Sequence, residues 1–265
     1  MGSKKENAKI KYLGMDGVNN KGFPMKIVEY NNSKDITVEF LGPYKYVTKS
    51  RLDRFKSGYI HNPYAPWLFD VGIVGKKYPT HDSKGIKYTK EYLTWTNMIR
   101  RCYDESVRYK NLTYYDCMCC EQWMYYENFY EWMHSQENFD LLLSIDDMSI
   151  DKDIILKGNK MYNPDNCCLV PQRVNNLLLK SNNIRGQWPI GVHYLRKNNK
   201  FVAQCGGQDN HNYLGLYSTP EEAFYVYKDF KEKQIKEIAE EEYSKGTIIK
   251  RCYDALMSYE VEITD

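Results

Sequence analysis

The sequence predicts an α+β chain assembled from small elements, and three observations carry that prediction. Met25 to Tyr30 and Asp35 to Phe40 alternate apolar and polar residues around Asn31-Asn32-Ser33-Lys34, the signature of a β-hairpin. Tyr92, Trp95, Ile99 and Cys102 recur at helical spacing, as do Trp123, Tyr126, Phe129, Tyr130 and Met133. From Trp188 to Ala223, alternating strands, Gly- and Asn-rich turns and a helix-start signal follow one another.

Bulk composition narrows the function classes. The chain has 265 residues, with 37 Lys and Arg against 35 Asp and Glu, for a formal charge of +2. It is not polybasic, so nucleic-acid contact has to come from local patches. The 25 tyrosines and five tryptophans favour half-buried and contact surfaces, because a tyrosine packs its ring and keeps its hydroxyl wet or bonded. Met1 to Asn7 is polar and charged, and no apolar run approaches the roughly 20 residues that span a bilayer. A cytosolic chain with reduced thiols is expected, and no membrane contact. Cys117, Cys119 and Cys120 with Cys167 and Cys168 hold enough thiolates for zinc, but a second Cys-x-x-Cys is absent. Zinc is therefore disfavoured against packing as small core residues.

Taken in order, residues 1–62 read as a β module of SH3-like size, punctuated by Gly17, Gly22 and Pro24 and closed by an exit turn over Phe55 to Pro63. Residues 63–185 open with the Tyr92–Cys102 helix. Arg100 and Arg101 near its end complement the helix dipole, with phosphate contact as the functional alternative. A second helix is expected from Trp123 to His134. Next comes Asp151-Lys152-Asp153-Ile154, then Gly158-Asn159-Lys160, Asn166 to Pro171, and Arg173-Val174-Asn175-Asn176: strand, loop, strand, helix.

That order resembles the ββα-metal finger of HNH nucleases of phage and homing type. In that family an Asp-His pair sits on the first strand, an Asn opens the second strand and a His or Asn lies on the helix. Asn166 and Asn175 fall at the two later positions, while Lys152 stands where the family has its histidine. The resemblance implies a divalent metal such as magnesium, held by Asp153 and Asn175, and a catalytic set of Asp151, Lys152, Asp153, Asn166 and Asn175. The histidine accepts a proton from the attacking water. A lysine is protonated at neutral pH and does not. Strand alternation would place Asp151 and Asp153 on one face and Lys152 on the other. His134 is too distant in sequence to be brought to the finger by spacing.

Residues 186–265 carry Gly191-Val192-His193-Tyr194, a basic turn at Arg196-Lys197, the strand Lys200 to Cys205, Leu214-Gly215-Leu216-Tyr217 and Thr219-Pro220-Glu221-Glu222-Ala223. This resembles the Apetala-2 type DNA-binding domain: three strands packed on a helix. Alternation puts Phe201, Ala203 and Cys205 on the helix side, and Thr219, Pro220 and Glu222 form a capped helix start. The resemblance implies major-groove contact by Tyr194, Arg196, Lys197, Lys200, Gln204 and Tyr213. Gly206 to Asn212 is nearly neutral, and the chain ends in acidic residues expected to pack on the body or to meet a partner.

The reading these patterns favour is a phage-type double-stranded DNA-binding protein on an HNH scaffold, weak or inactive in cleavage because of Lys152, in the cytosol of a bacterial host. Two alternatives stand beside it: an inhibitor or regulator of a host defence protein, and an active metal-dependent HNH endonuclease.

Overall fold

A computed structural model describes residues 2–110, 114–179, 187–206 and 211–265. The chain is α+β and divides into two compact units. The first comprises Met1–Tyr115 and Cys119–Tyr130, the second Asp116–Met118 and Glu131–Asp265.

In the first unit, helix α1 (Gly2–Tyr12) precedes an antiparallel sheet of β1 (Asp16–Val18), β2 (Pro24–Asn32), β3 (Asp35–Phe40) and β4 (Tyr46–Ser50), ordered β1-β2-β3-β4. The hairpin is the expected one with longer arms, so only Ser33 and Lys34 remain between β2 and β3. Strand β3 alternates strictly, burying Ile36, Val38 and Phe40. Strand β2 carries a bulge between Ile27 and Glu29, which shifts its parity so that Met25, Ile27 and Tyr30 all enter the core. Leu52 and Phe55 of α2 (Leu52–Lys56) close that core.

Helix α3 (Lys90–Tyr103) buries Trp95, Met98, Ile99 and Cys102, as its stripe predicts. Arg100 pairs with Asp104 at 3.3 Å, which favours a local role at the helix end over a phosphate contact. After α4 (Glu105–Lys110) and β5 (Met118–Cys119), the helix expected over Trp123–His134 is interrupted. A 3-10 turn covers Glu121–Met124, Tyr125 is extended, and α5 runs over Tyr126–His134. The cause is a distant segment: Ile73 donates its N–H to the Met124 carbonyl at 2.8 Å and accepts from Tyr126 at 2.9 Å. Bonds from another strand segment outbid the continuous helix that periodicity alone favours.

The second unit contains α6 (Phe139–Ser144), β6 (Ser149–Asp151), β7 (Met161–Tyr162), β8 (Cys168–Val170) and α7 (Gln172–Leu177). These are followed by β9 (Val192–Leu195), β10 (Lys200–Gly206), β11 (His211–Tyr217), α8 (Pro220–Ser244) and α9 (Lys250–Met257). One continuous core joins them. Ile154, Cys168, Val170 and Val174 from the finger segment bury together with Val192, Ala203 and Cys205 from the sheet, Ala223, Phe224 and Tyr227 from α8, and Cys252 and Leu256 from α9. The segments expected as separate finger and DNA-binding domains therefore share one hydrophobic interior, and the stretch 180–186 at their expected boundary lies outside the described residues. Buried Asn138 ties this interior together, donating to the carbonyls of Leu169 at 2.9 Å and Thr247 at 2.7 Å. Among the described residues, no helix is long and apolar enough to cross a membrane.

Candidate nucleic-acid interface

The strand–loop–strand–helix order of the finger is present. Strand β6 pairs antiparallel with β8 in the register Ser149↔Val170, Ile150↔Leu169 and Asp151↔Cys168, and α7 follows directly. Asp147 accepts the N–H of Gln172 at 2.8 Å, and Ser149 donates to the Gln172 side chain at 2.7 Å, fixing the start of α7.

The loop chemistry differs from the expectation. Strand β6 ends at Asp151, so the alternation assumed across Asp151-Lys152-Asp153 does not apply. Asp151 stands opposite Cys168, which is fully buried, and its Oδ1 accepts the N–H groups of Asp153 and Ile154, each at 2.7 Å. Burial pushes its carboxyl above the ordinary aspartate value, against the pull of those two bonds. Lys152 is 4% exposed. Its ammonium donates to Asp153 Oδ2 at 2.5 Å and to the Asn159 carbonyl at 2.8 Å, and lies 5.9 Å from the Tyr162 ring centre. Asn159 returns the bond, donating to the carbonyls of Lys152 at 2.9 Å and Met161 at 2.7 Å. The triplet is a clip that closes the loop between β6 and β7.

Asn166 precedes β8 by two residues, its N–H donating to Asn163 Oδ1 at 2.8 Å, and Asn175 lies half-buried inside α7. Among the described residues, no hydrogen bond joins either side chain to the Asp–Lys–Asp clip, and no group of three or more His, Cys, Asp or Glu side chains could hold a metal. One oxygen of each carboxylate is engaged within the loop, Asp151 Oδ1 by two backbone N–H groups and Asp153 Oδ2 by the Lys152 ammonium.

The C-terminal sheet is ordered β11-β10-β9. Thr219 accepts from the Glu222 N–H at 3.2 Å and Glu222 accepts from that of Thr219 at 3.2 Å, with Pro220 at the first position, so α8 starts as predicted. Gly191 has φ of +75°, and a Cβ there would lie 2.1 Å from the Tyr227 ring, so this glycine lets the sheet approach α8.

Register sorts the expected contact residues. Directly paired residues in an antiparallel ladder point to one face. Lys200 pairs with Leu195, Val202 with His193 and Leu216, and Gln204 with Tyr213. Their shared face therefore carries Lys200, Gln204 and Tyr213, with Tyr213 63% exposed and Val202 covered at its centre. Arg196 and Lys197 are exposed in the β9–β10 turn. Tyr194 departs from the expectation. It pairs with Phe201, on the opposite face, and its ring lies 5.1 Å from Phe201 and 6.1 Å from Trp188. Its hydroxyl donates to Asn199, so it braces the turn. The parity of Val192 and Tyr194 already implied this, since Val192 faces the core.

His193 was absent from the expected set, yet it is exposed on the same face as Lys200 and Gln204. A bulge between Ala203 and Gln204 leaves Leu214 unpaired and packed on the core, and brings Tyr213 opposite Gln204. Of the nearly neutral stretch Gly206 to Asn212, residues 207–210 lie outside the described residues.

The acidic segments are neutralised within the unit. Arg173 of α7 pairs with Glu241 at 3.0 Å and Glu242 at 3.2 Å, and Arg173 with Lys245 holds the Glu241 carboxyl down to about 2. Val261 is buried in the core, and Lys157 grips Asp265 at 2.8 Å and the Glu260 carbonyl at 2.9 Å. No protein-family model, no curated protein and no solved structure matches the chain.

Proposed function

We propose that the protein binds double-stranded DNA through the His193/Lys200/Gln204/Tyr213 face and the Arg196-Lys197 turn, without cleaving it. One observation carries this reading: the ladder register gathers hydrogen-bonding and cationic side chains from three strands onto a single face beside a basic turn. A two- or three-stranded surface of this kind fits the roughly 12 Å major groove. Arg196 and Lys197 suit phosphates, Lys200 suits guanine or phosphate, and Gln204 suits the paired acceptor and donor of adenine. The reading without cleavage is supported by the Asp151-Lys152-Asp153 clip, in which Asp151 Oδ1, Asp153 Oδ2 and the Lys152 ammonium hold the loop itself.

The test is a mobility-shift titration of the full chain with random duplex DNA over a salt series, with supercoiled plasmid and magnesium or manganese in parallel. Binding should weaken steeply with salt, and Arg196→Glu should lower the log–log salt slope by about 1. Plasmid should stay intact. Nicking lost in Asp153→Ala would restore the endonuclease reading. No shift at low salt would refute DNA binding and direct the search to a protein partner.

A further inference from the structure

The formal charge of +2 hides a segregation. Residues 1–62 hold 12 Lys and Arg against six Asp and Glu, whereas residues 63–265 hold 25 against 29. Positive charge is concentrated in the first 62 residues of the sequence.

The first unit also gathers aromatic rings at one place. Phe23 packs on Tyr44 with ring centres 5.5 Å apart, Tyr46 on Tyr64 at 5.5 Å, and His61 on Trp67 at 4.5 Å. Fully buried Asn62 locks these pairs together. Its amide donates to the Tyr44 carbonyl at 2.7 Å, and its Oδ1 accepts the Tyr64 N–H at 3.0 Å. Lysines close the circuit. Lys76 lies 4.7 Å from the Tyr46 ring centre and donates to its hydroxyl; burial, and then this same ammonium, hold the His61 imidazole below its ordinary value. Lys21, in the loop that carries Phe23, lies 5.7 Å from the Trp67 ring, although its charge is met by Asp70 at 2.6 Å. Lys45, next to Tyr44 in the chain, is exposed.

We propose that this aromatic–lysine surface binds single-stranded nucleic acid, its bases stacking on Tyr44 and Tyr64 and its phosphates meeting Lys45 and Lys76. Rings interleaved with cations are the combination a single strand needs. Every base offers a π-face to an aromatic side chain, and the charges follow the backbone. The Asn62 bonds fix the platform in advance, so little ordering has to accompany binding. The excess positive charge of residues 1–62 argues for a polyanion over an apolar peptide. This surface is separate in sequence from the C-terminal face and stands or falls without it.

The experiment is fluorescence anisotropy of the full chain with labelled oligo-dT of about 16 nucleotides, a length of the order a stacking groove covers. Saltable binding is expected at low ionic strength. Tyr64→Ala should weaken it roughly 5- to 150-fold, the cost of one lost stack. The surface variant Lys45→Glu, at a side chain that takes no part in the ring pairs, should weaken it about 5-fold or more and flatten its salt dependence. No binding of oligo-dT would overturn the proposal, as would binding indifferent to both variants. Salt-insensitive capture of a proline-rich peptide in its place would do the same.

Discussion

Lys152 is the residue on which the finger turns, and its replacement by methionine tests the account of the loop directly. The substitution keeps the aliphatic stem that runs past Tyr162 and removes the ammonium with its bonds to Asp153 and the Asn159 carbonyl. Bonds to a charged group contribute about 1.5–3 kcal/mol each. The full cost of breaking a buried ion pair, about 3–5 kcal/mol, does not apply, because the Asp153 side chain is 41% exposed and can hydrate its charge once released. About 2 kcal/mol remains, which lowers the melting temperature of a unit this size by roughly 4–8 °C. Differential scanning calorimetry of Lys152→Met against the parent reads the shift in the transition of the second unit. Lys152→His belongs in the same experiment: it restores the residue type of the HNH family, but should lose stability and nick no plasmid. A Lys152→Met protein melting within a degree of the parent would refute the clip, and nicking by Lys152→His would refute the claim that the site is structurally committed.

Gly191→Ala should destabilise the second unit by about 3 kcal/mol or more, since it combines a positive φ with a Cβ driven into the Tyr227 ring; urea unfolding of the full chain checks it. For Asp151, the folded carboxyl titrates above the unfolded one because of burial. Its contribution is therefore fully present below the unfolded value near 3.9 and is lost as pH rises through the folded value. Asp151→Asn keeps an Oδ1 for both N–H groups and cannot ionise, so its stability relative to the parent should increase as pH rises from about 4 to 7. A difference independent of pH in that window, measured by urea unfolding, would contradict the burial of this carboxyl. Thr219→Ala should cost about 1 kcal/mol through loss of the α8 cap, read in the same unfolding series.

Local chemistry made the short-range elements legible. The Thr219-Pro220-Glu222 start of α8, the α3 stripe and the β2–β3 hairpin are all decided by residues within a few positions of one another. Features that depend on partners far along the chain were not legible. Tyr125 is extended because Ile73 takes its neighbours' backbone groups, and the 149–177 segment shares its core with α8 and α9, roughly 50 to 100 residues further on. Tyr194 lies between these cases. The strand and turn were visible, but the face of a side chain follows from register, and one step of parity separates the proposed DNA-binding face from a brace.

The finger shows why the order of elements is a weaker guide than the atoms they present. Strand, loop, strand and helix arrive in the expected sequence, and asparagines stand at the expected places, yet the β6–β8 register sets Asp151 against Cys168 in the core. Lysine at position 152 has a structural part of its own. It is the cation that lets a loop holding two aspartates close, and removing it would leave Asp153 without its partner before it supplied any proton acceptor. A metal- and water-binding arrangement at these three residues would require a different loop path, with Asp151 turned away from Cys168 and Asp153 released from Lys152.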